Sequence, residues 1–281
     1  MAGKLVICPT PLGNLGDMTQ RALDALRAAD TICAEDTRVT GKLLVALGVE
    51  GKRLERLDEN VIGERAAEIV ARIIAGEVIA YCTDAGMPGV SDPGMRLVRT
   101  ARAAGVPVEV LPGPTAVATA YVASGCIDQS FYFGGFFPRK DAARRQLLNQ
   151  LKPLQAALIF YESPNRLVGA LRVIAETLPL RGVAVCRELT KLHEEVVRGP
   201  APQVSEEFAQ RETVKGEIAI VIDGPSDAER EAEAAAATAD AATRARELVA
   251  AGKRPKEITR QLVEEFGIPK NNAYDLALHA K

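Results

Sequence analysis

The sequence predicts an α/β protein in two lobes, with a small helical domain at its C-terminal end. Three observations carry this prediction. Short continuous apolar runs, such as Leu5-Val6-Ile7-Cys8, Thr31-Ile32-Cys33-Ala34 and Val78-Ile79-Ala80-Tyr81-Cys82, alternate with amphipathic helical stretches as far as Leu111. Buried parallel strands have that uninterrupted apolar character. Pro112-Gly113-Pro114 then breaks the rhythm, and a helix rich in small residues and an aromatic strand follow. At Gly224 the composition shifts again, to an acidic, alanine-rich stretch and three short amphipathic segments.

The elements follow in order. The strand at 5–8 ends in Pro9-Thr10-Pro11-Leu12-Gly13-Asn14-Leu15-Gly16-Asp17, longer than a plain strand–helix turn needs. A helix over about 19–29 puts Leu23 and Leu26 on one face. The strand at 31–34 runs into Glu35-Asp36-Thr37-Arg38 and a helix over about 39–47. A strand at 53–57 precedes a helix over 59–75, where Ile62, Ala66, Ile69, Val70 and Ile73 recur at helical spacing. After the strand at 78–82 comes a loop, 83–94, with three glycines and two prolines. Glycine lets a ligand approach the backbone closely and proline stiffens it, so the loop reads as a rigid wall at a strand end. A helix at 95–104 and a strand at 108–111 complete the first lobe, 1–113. The second lobe, 114–224, has helices at 116–124, 142–151, 165–176 and 205–210. Its strands are at 130–136, 156–161, 183–187, 195–198 and 217–223. Residues 225–242 read as an acidic, alanine-rich linker, disordered or loosely helical. Residues 243–281 read as three short helices broken at Gly252 and Gly267, barely enough to fold alone.

Bulk properties exclude several classes. With 35 basic and 37 acidic residues the net charge is −2, so any nucleic-acid partner must be met by a local patch. The five cysteines form no CxxC pair, which argues for free thiols in a reducing, cytoplasmic setting. Two histidines make a His-rich zinc site untenable, and no metal is expected. Met1-Ala2-Gly3-Lys4 leads into too short an apolar run for a secretory signal, and no run approaches membrane-spanning length.

Familiar nucleotide motifs, G-x-G-x-x-G and the P-loop, are absent. What remains is a set of loops, 9–17, 35–38, 83–94 and 112–116, that all follow predicted parallel strands. They should meet at one sheet edge, where open α/β sheets bind ligands. Glu35 and Asp36 form either a polar substrate site or a helix cap. Asp84 is a similar case. Lys140, with Arg139, either contacts phosphate or is simply solvated. Glu162 is a buried functional acid or a cap.

Five motifs occur in order: Pro9-Thr10-Pro11-Leu12-Gly13-Asn14-Leu15, Ala34-Glu35-Asp36-Thr37-Arg38, Asp84-Ala85-Gly86-Met87-Pro88 with Ser91-Asp92-Pro93-Gly94, Pro112-Gly113-Pro114, and Phe160-Tyr161-Glu162-Ser163. Together they resemble the ribosomal small-subunit RNA methyltransferase I family, within the tetrapyrrole (corrin/porphyrin) methylase fold. The resemblance covers about 4–224, and the tail is similar to that family's C-terminal helical domain. It implies a two-lobed tetrapyrrole-methylase-like fold with a parallel-sheet first lobe and a mixed-sheet second lobe. It also implies S-adenosyl-L-methionine as cofactor, held in the cleft between the lobes. The implied reaction is 2′-O-methylation of a cytidine ribose in the decoding region of 16S rRNA on the small subunit, by a cytoplasmic homodimer. By motif match, Pro11, Gly13 and Asn14, then Asp84, Ala85, Gly86, Pro88 and Val90, then Pro114, Thr115 and Ala116 would line the cofactor site. Asp58 stands where the family often has histidine, and Met87 where threonine is usual.

Methyl transfer needs the ribose hydroxyl positioned and its proton accepted. Glu35, Asp36, Lys140 and Glu162 are the candidates. An RNA patch is expected from the tail's basic residues with Arg38, Arg139, Lys140, Arg144 and Arg145. Two other readings stay open. One is a methylase of this fold acting on a tetrapyrrole or other small substrate, against which the 9–15 loop lacks a G-x-G-x-G-D form. The other is a non-enzymatic helix-turn-helix nucleic-acid binder.

Overall fold

Ten strands and eleven α-helices follow the expected order in the computed structural model, which describes residues 3–280. In the first lobe β1 (Lys4–Ile7), β2 (Thr31–Ala34), β3 (Arg53–Arg56), β4 (Val78–Cys82) and β5 (Val108–Val110) pair in the order β3-β2-β4-β1-β5, all parallel. Successive strand residues point to opposite faces. Val6, Cys8, Ala80 and Cys82 pack with residues of α1 (Gln20–Ala28) and α2 (Thr37–Ala46). Leu5, Ile7, Ile79 and Tyr81 pack with those of α3 (Ile62–Ile74) and α4 (Met95–Ala103). The chain leaves β1 for α1 and β4 for α4, hence to opposite faces of the sheet. That reversal opens a crevice at the carboxyl ends of the two central strands.

At the opposite end of the strands, Arg72 ties the first lobe together. Its guanidinium donates to Glu55 at 2.9 Å, to Glu77 at 2.6 and 2.7 Å, and to the Thr31 hydroxyl at 3.0 Å. Arg72 holds the Glu77 carboxyl down at about 2, against an ordinary 4.5. A depressed carboxyl stabilises the fold fully above its unfolded value and progressively less as pH falls towards 2. Arg72→Ala should therefore cost about 2–3 kcal/mol at pH 7. It should also flatten the loss of stability between pH 4.5 and 2. Urea melts across that range read both, and an unchanged acid slope would contradict this account.

In the second lobe β6 (Phe131–Phe136), β7 (Ala157–Glu162), β8 (Gly182–Arg187), β9 (Glu195–Pro200) and β10 (Ile218–Ile222) pair in the order β6-β7-β10-β8-β9. Only β6–β7 is parallel. The two faces differ in side-chain size. Leu158, Phe160, Val183, Val185, Ile218, Ile220 and Ile222 pack beneath α6 (Asp141–Leu151), α7 (Pro164–Thr177) and α8 (Ala201–Ala209). The other face carries Ala157, Ile159, Ala184, Cys186, Ala219 and Val221 against α5 (Ala116–Ala123). Its smaller residues leave room beside the sheet.

The chain divides after Asp223. The C-terminal unit comprises α9 (Asp227–Ala250), α10 (Pro255–Phe266) and α11 (Lys270–His279), with its own core of Ala241, Ala245, Leu248, Ile258, Leu262, Ile268, Ala273 and Ala277. Where the sequence suggested a disordered or loosely helical linker over 225–242, one continuous helix runs from Asp227. Ser226 caps it, accepting from the Glu229 amide at 3.1 Å, and Asp227 and Glu229 sit in the first turn. Ala237, Ala241 and Ala245 recur every four residues and pack into the unit's core. Alanine offers little hydrophobic contrast, so this stripe carried no apolar signal in the sequence.

Candidate functional site

The loops after β1 and β4 are joined by two backbone hydrogen bonds, Thr10 N–H to Gly86 O and Gly86 N–H to Thr10 O, each 3.0 Å. The Thr10 hydroxyl adds a third, to Thr83 O at 3.1 Å. Gly86 sits at φ +77, and a Cβ there would come 3.1 Å from Leu12. Glycine is therefore required where these loops close on each other.

Between these loops and the small-residue face of the second sheet lies a cavity of about 310 Å³. Leu12, Ala85, Gly86, Met87, Val90, Ser91 and Asp92 form its first-lobe wall. Thr115 and Ala116, where the chain crosses between lobes, form another. Phe136, Tyr161–Pro164, Cys186, Leu189 and Gly216–Ala219 close it. It is concave and mostly apolar with a few polar groups, as small-molecule sites are.

Of the residues expected to hold a cofactor, Ala85, Gly86, Val90, Thr115 and Ala116 line this cavity. The others stand behind or beside it. Pro11 and Pro88 are buried, and Asp84 is exposed. A Cβ on Gly13 would lie 2.4 Å from the Lys191 stem, so that glycine makes room for a second-lobe side chain. Asn14 is exposed and caps the 3-10 turn at Leu15–Asp17, accepting from the Gly16 amide at 2.9 Å. Pro114 places its carbonyl 3.7 Å from where a Gly86 Cβ would lie.

The four candidate bases separate. Asp36 caps α2 and pairs with Arg38 at 2.6 Å, and the hydrogen bonds from Arg38 hold its carboxyl well below the usual range. Lys140 is exposed at the N-terminus of α6. Glu162 lines the cavity, but its side chain is fully buried. It accepts from Arg144 at 2.7 Å, from Arg166 at 2.6 Å and from the Ser163 amide at 2.7 Å. Arg144, expected to meet RNA, is itself only 3% exposed beneath Glu162 and cannot reach a phosphate. Glu35 is half-buried, and burial first, then the charge of Asp84, pushes its carboxyl up.

Asp92 is among the cavity residues that the sequence reading did not single out. It lines the cavity and makes no hydrogen bond or ion pair with any described residue. Burial, then the charges of Glu35, Asp84 and Glu217, pushes its carboxyl up to about 7. A signal does exist in Ser91-Asp92-Pro93-Gly94: the proline after it removes an amide that could have capped it. Its neighbour Tyr161 is pushed up to about 12 by burial and by Asp92, so it stays neutral. The two positions that depart from the family pattern have plain roles. Met87 is part of the cavity wall. Asp58 caps the approach to α3, accepting from the Asn60 and Val61 amides at 3.0 and 3.2 Å.

One group outside the cavity has metal-ligand chemistry. Cys126, Asp128 and Asp223 offer donor atoms within 4.8 Å of one another. Arg198 already pairs with Asp223 at 2.7 Å, and burial followed by Asp128 pushes the Cys126 thiol up to about 12. The thiol is thus protonated, and the group is a hydrogen-bonded cluster. Among the described residues, no helix is long and apolar enough to cross a membrane.

Comparison with known proteins adds an independent line. Residues 4–205 match the family described as tetrapyrrole (corrin/porphyrin) methylases. A protein of Halalkalibacterium halodurans named ribosomal RNA small subunit methyltransferase I is 39% identical over 98% of this chain and 94% of its own. Proteins of the same name from Escherichia coli O157:H7 and Mycobacterium bovis are 39% and 40% identical, over 98% and 100% of this chain and 95% and 96% of theirs. Among solved structures, the methyltransferase CobJ superposes with TM-score 0.62 at 19% identity, over 79% of this chain and 94% of that one. Diphthine synthase does so with TM-score 0.62 at 14% identity, over 79% and 90%. These two likenesses bear on the fold alone.

Proposed function

The chain belongs to the ribosomal RNA small subunit methyltransferase I family, within the tetrapyrrole methylases, and we propose that it methylates the 2′-oxygen of a cytidine ribose in the decoding region of 16S rRNA, with S-adenosylmethionine as donor. The observation that carries this reading is the level of identity. Relatives of that name are 39–43% identical, over 79–100% of the chain, whereas solved methylases of other specificity are 14% and 19% identical.

The cavity fits the donor. Its walls of Leu12, Ala85, Val90, Thr115 and Ala116 suit a nucleoside, and the backbone at Gly86 permits close approach. Asp92 and Glu217, also at the wall, suit a cationic ligand. When bound, S-adenosylmethionine supplies a methyl group on a positively charged sulfur. The protein's part is to hold the ribose hydroxyl in line and to accept its proton as the new C–O bond forms and the C–S bond breaks. Asp92 is our choice for the acceptor, because it is the cavity carboxylate with free lone pairs. Glu35, without a strong partner, is the alternative among the four candidates read from the sequence. Asp36 and Glu162 act as cap and anchor, and Lys140 as an RNA contact.

The RNA substrate in this reading is met partly by the C-terminal unit, where Lys253, Arg254, Lys256, Arg260 and Lys270 are exposed. The protein acts in the cytoplasm as a homodimer. Exposed apolar side chains such as Val122 and Ile127 support a further contact surface.

Transfer of radiolabelled methyl to undermethylated 30S subunits, naked 16S rRNA and a small tetrapyrrole tests the reading. Label is expected in a cytidine of the RNA, and label only in the tetrapyrrole would overturn it. Because α9 begins at Asp227, the unit to remove is 224–281. Its deletion should weaken RNA binding at least about tenfold, given several phosphate contacts, and leave donor affinity nearly unchanged. RNA binding unaltered by the deletion would exclude the unit from recognition.

A further inference from the structure

We propose that the groove formed by Phe136, Pro138, Arg139 and Arg166 seats the target segment of single-stranded RNA, with a base stacked on Phe136 and phosphates on Arg139 and Lys140. This rests on the methyl-transfer reading above and goes beyond it by locating the acceptor.

The placement begins with a bulge. The β6–β7 register shifts between Phe133 and Phe136, and Gly135 there has φ +66. A bulge re-aims the side chain that follows it. Phe137 turns inward, 1% exposed, with its ring 4.6 Å from Phe160. Phe136 turns outward and is 60% exposed. It is nonetheless braced, edge-on to the Tyr161 ring at 5.7 Å and 72°. A fixed, exposed aromatic face is what a sequence-tolerant stacking platform for nucleobases requires.

Phe136 also belongs to two walls. It borders the donor cavity with Asp92 and Tyr161, and it borders the groove with Arg139 and Arg166. A base stacked on it places its own ribose at the cavity mouth. Charge points the same way. Arg139 and Lys140 are exposed and have no ion pair with any described residue. Behind them Arg144 and Arg166 share Glu162, and Arg144 also pairs with Asp141 at 3.1 Å, so the unpaired positive charge of this corner is that of Arg139 and Lys140. Unpaired cations beside an exposed ring suit a phosphodiester and a base in one ligand.

The test uses the full-length protein and undermethylated 30S subunits, with donor affinity measured separately by equilibrium dialysis. Phe136→Ala should lower kcat/KM for the subunits about 10- to 100-fold, with a smaller effect on donor affinity. Phe136→Tyr keeps the stacking face and should stay within about threefold. The double variant Arg139→Gln/Lys140→Gln should reduce the slope of log affinity against log salt by about 0.7 for each phosphate no longer held, with donor affinity unchanged. The proposal is overturned if Phe136→Ala retains subunit kcat/KM, if it loses donor affinity equally, or if the double variant keeps the wild-type salt slope. It is also overturned if an acidic tetrapyrrole displaces the RNA competitively at the groove. Failure of the parent reading is seen separately, as a wild-type protein that transfers no methyl to RNA.

Discussion

Asp92→Asn is expected to lower kcat by about 10²- to 10⁴-fold, the range for removing a general base, while S-adenosylmethionine still binds. The reason is that Asp92 is a carboxylate on the cavity wall with no partner among the described residues to occupy its lone pairs. The proton acceptor must be ionised, so wild-type activity should rise with pH through about 7, where burial and the neighbouring charges place this group. The variant should lose that acid limb. The groups facing Asp92 are Glu35, Asp84, Glu217 and the neutral Tyr161. Removing one of those charges, as in Asp84→Asn, should move the limb to lower pH, because less repulsion opposes ionisation. Stability should respond in the opposite sense. A carboxyl whose folded value is raised makes the fold less stable as pH climbs from about 4 towards 7, since the folded state must give up the proton there. Asp92→Asn should therefore be more stable than wild type at pH 8, the signature of strain kept for function. A fall of less than about threefold in kcat, with the acid limb intact, would remove Asp92 from the mechanism.

Glu162→Ala has the largest expected effect on stability, about 3–5 kcal/mol. It strips the buried Arg144 guanidinium of its closer carboxylate, leaving Asp141 at 3.1 Å, and strips Arg166 of the same partner. For a body of this size that corresponds to a fall in melting temperature on the order of 10 °C. Replacing Arg144 by Met in the same chain should restore part of the stability, because the more deeply buried of the two cations that Glu162 held is then gone. A Glu162 that served as the proton acceptor would behave differently. Its removal would abolish turnover with little change in melting temperature, and Arg144→Met would not help. Calorimetry and single-turnover methyl transfer on the three proteins separate the two roles.

Much of the fold was legible because its signals are local. Val6 and Cys8 against Leu5 and Ile7, and Ala219 and Val221 against Ile218 and Ile220, alternate with the period that a strand imposes. The helix 227–250 was legible only in part, because its buried stripe is alanine and differs little from the exposed positions around it. Within the site, the motif loops were found because glycine and proline mark unusual backbone, yet only some of their residues reach the cavity. Gly13 and Asn14 serve the loop itself, one by yielding to Lys191 and the other by capping a turn.

Residue type and spacing along the chain are enough to specify the layers, the order of the elements and the loops that meet at the crevice. Which acids are free is settled in three dimensions. Glu162 and Asp92 look alike in sequence, each a carboxylate beside a serine and near a proline. Arg144 and Arg166 come from two different helices to occupy the first, and none of the described residues comes to the second. Whether a carboxylate is an anchor or a base depends on which partners the fold brings to it, here one four residues along and one from another helix, and on the dielectric their packing creates.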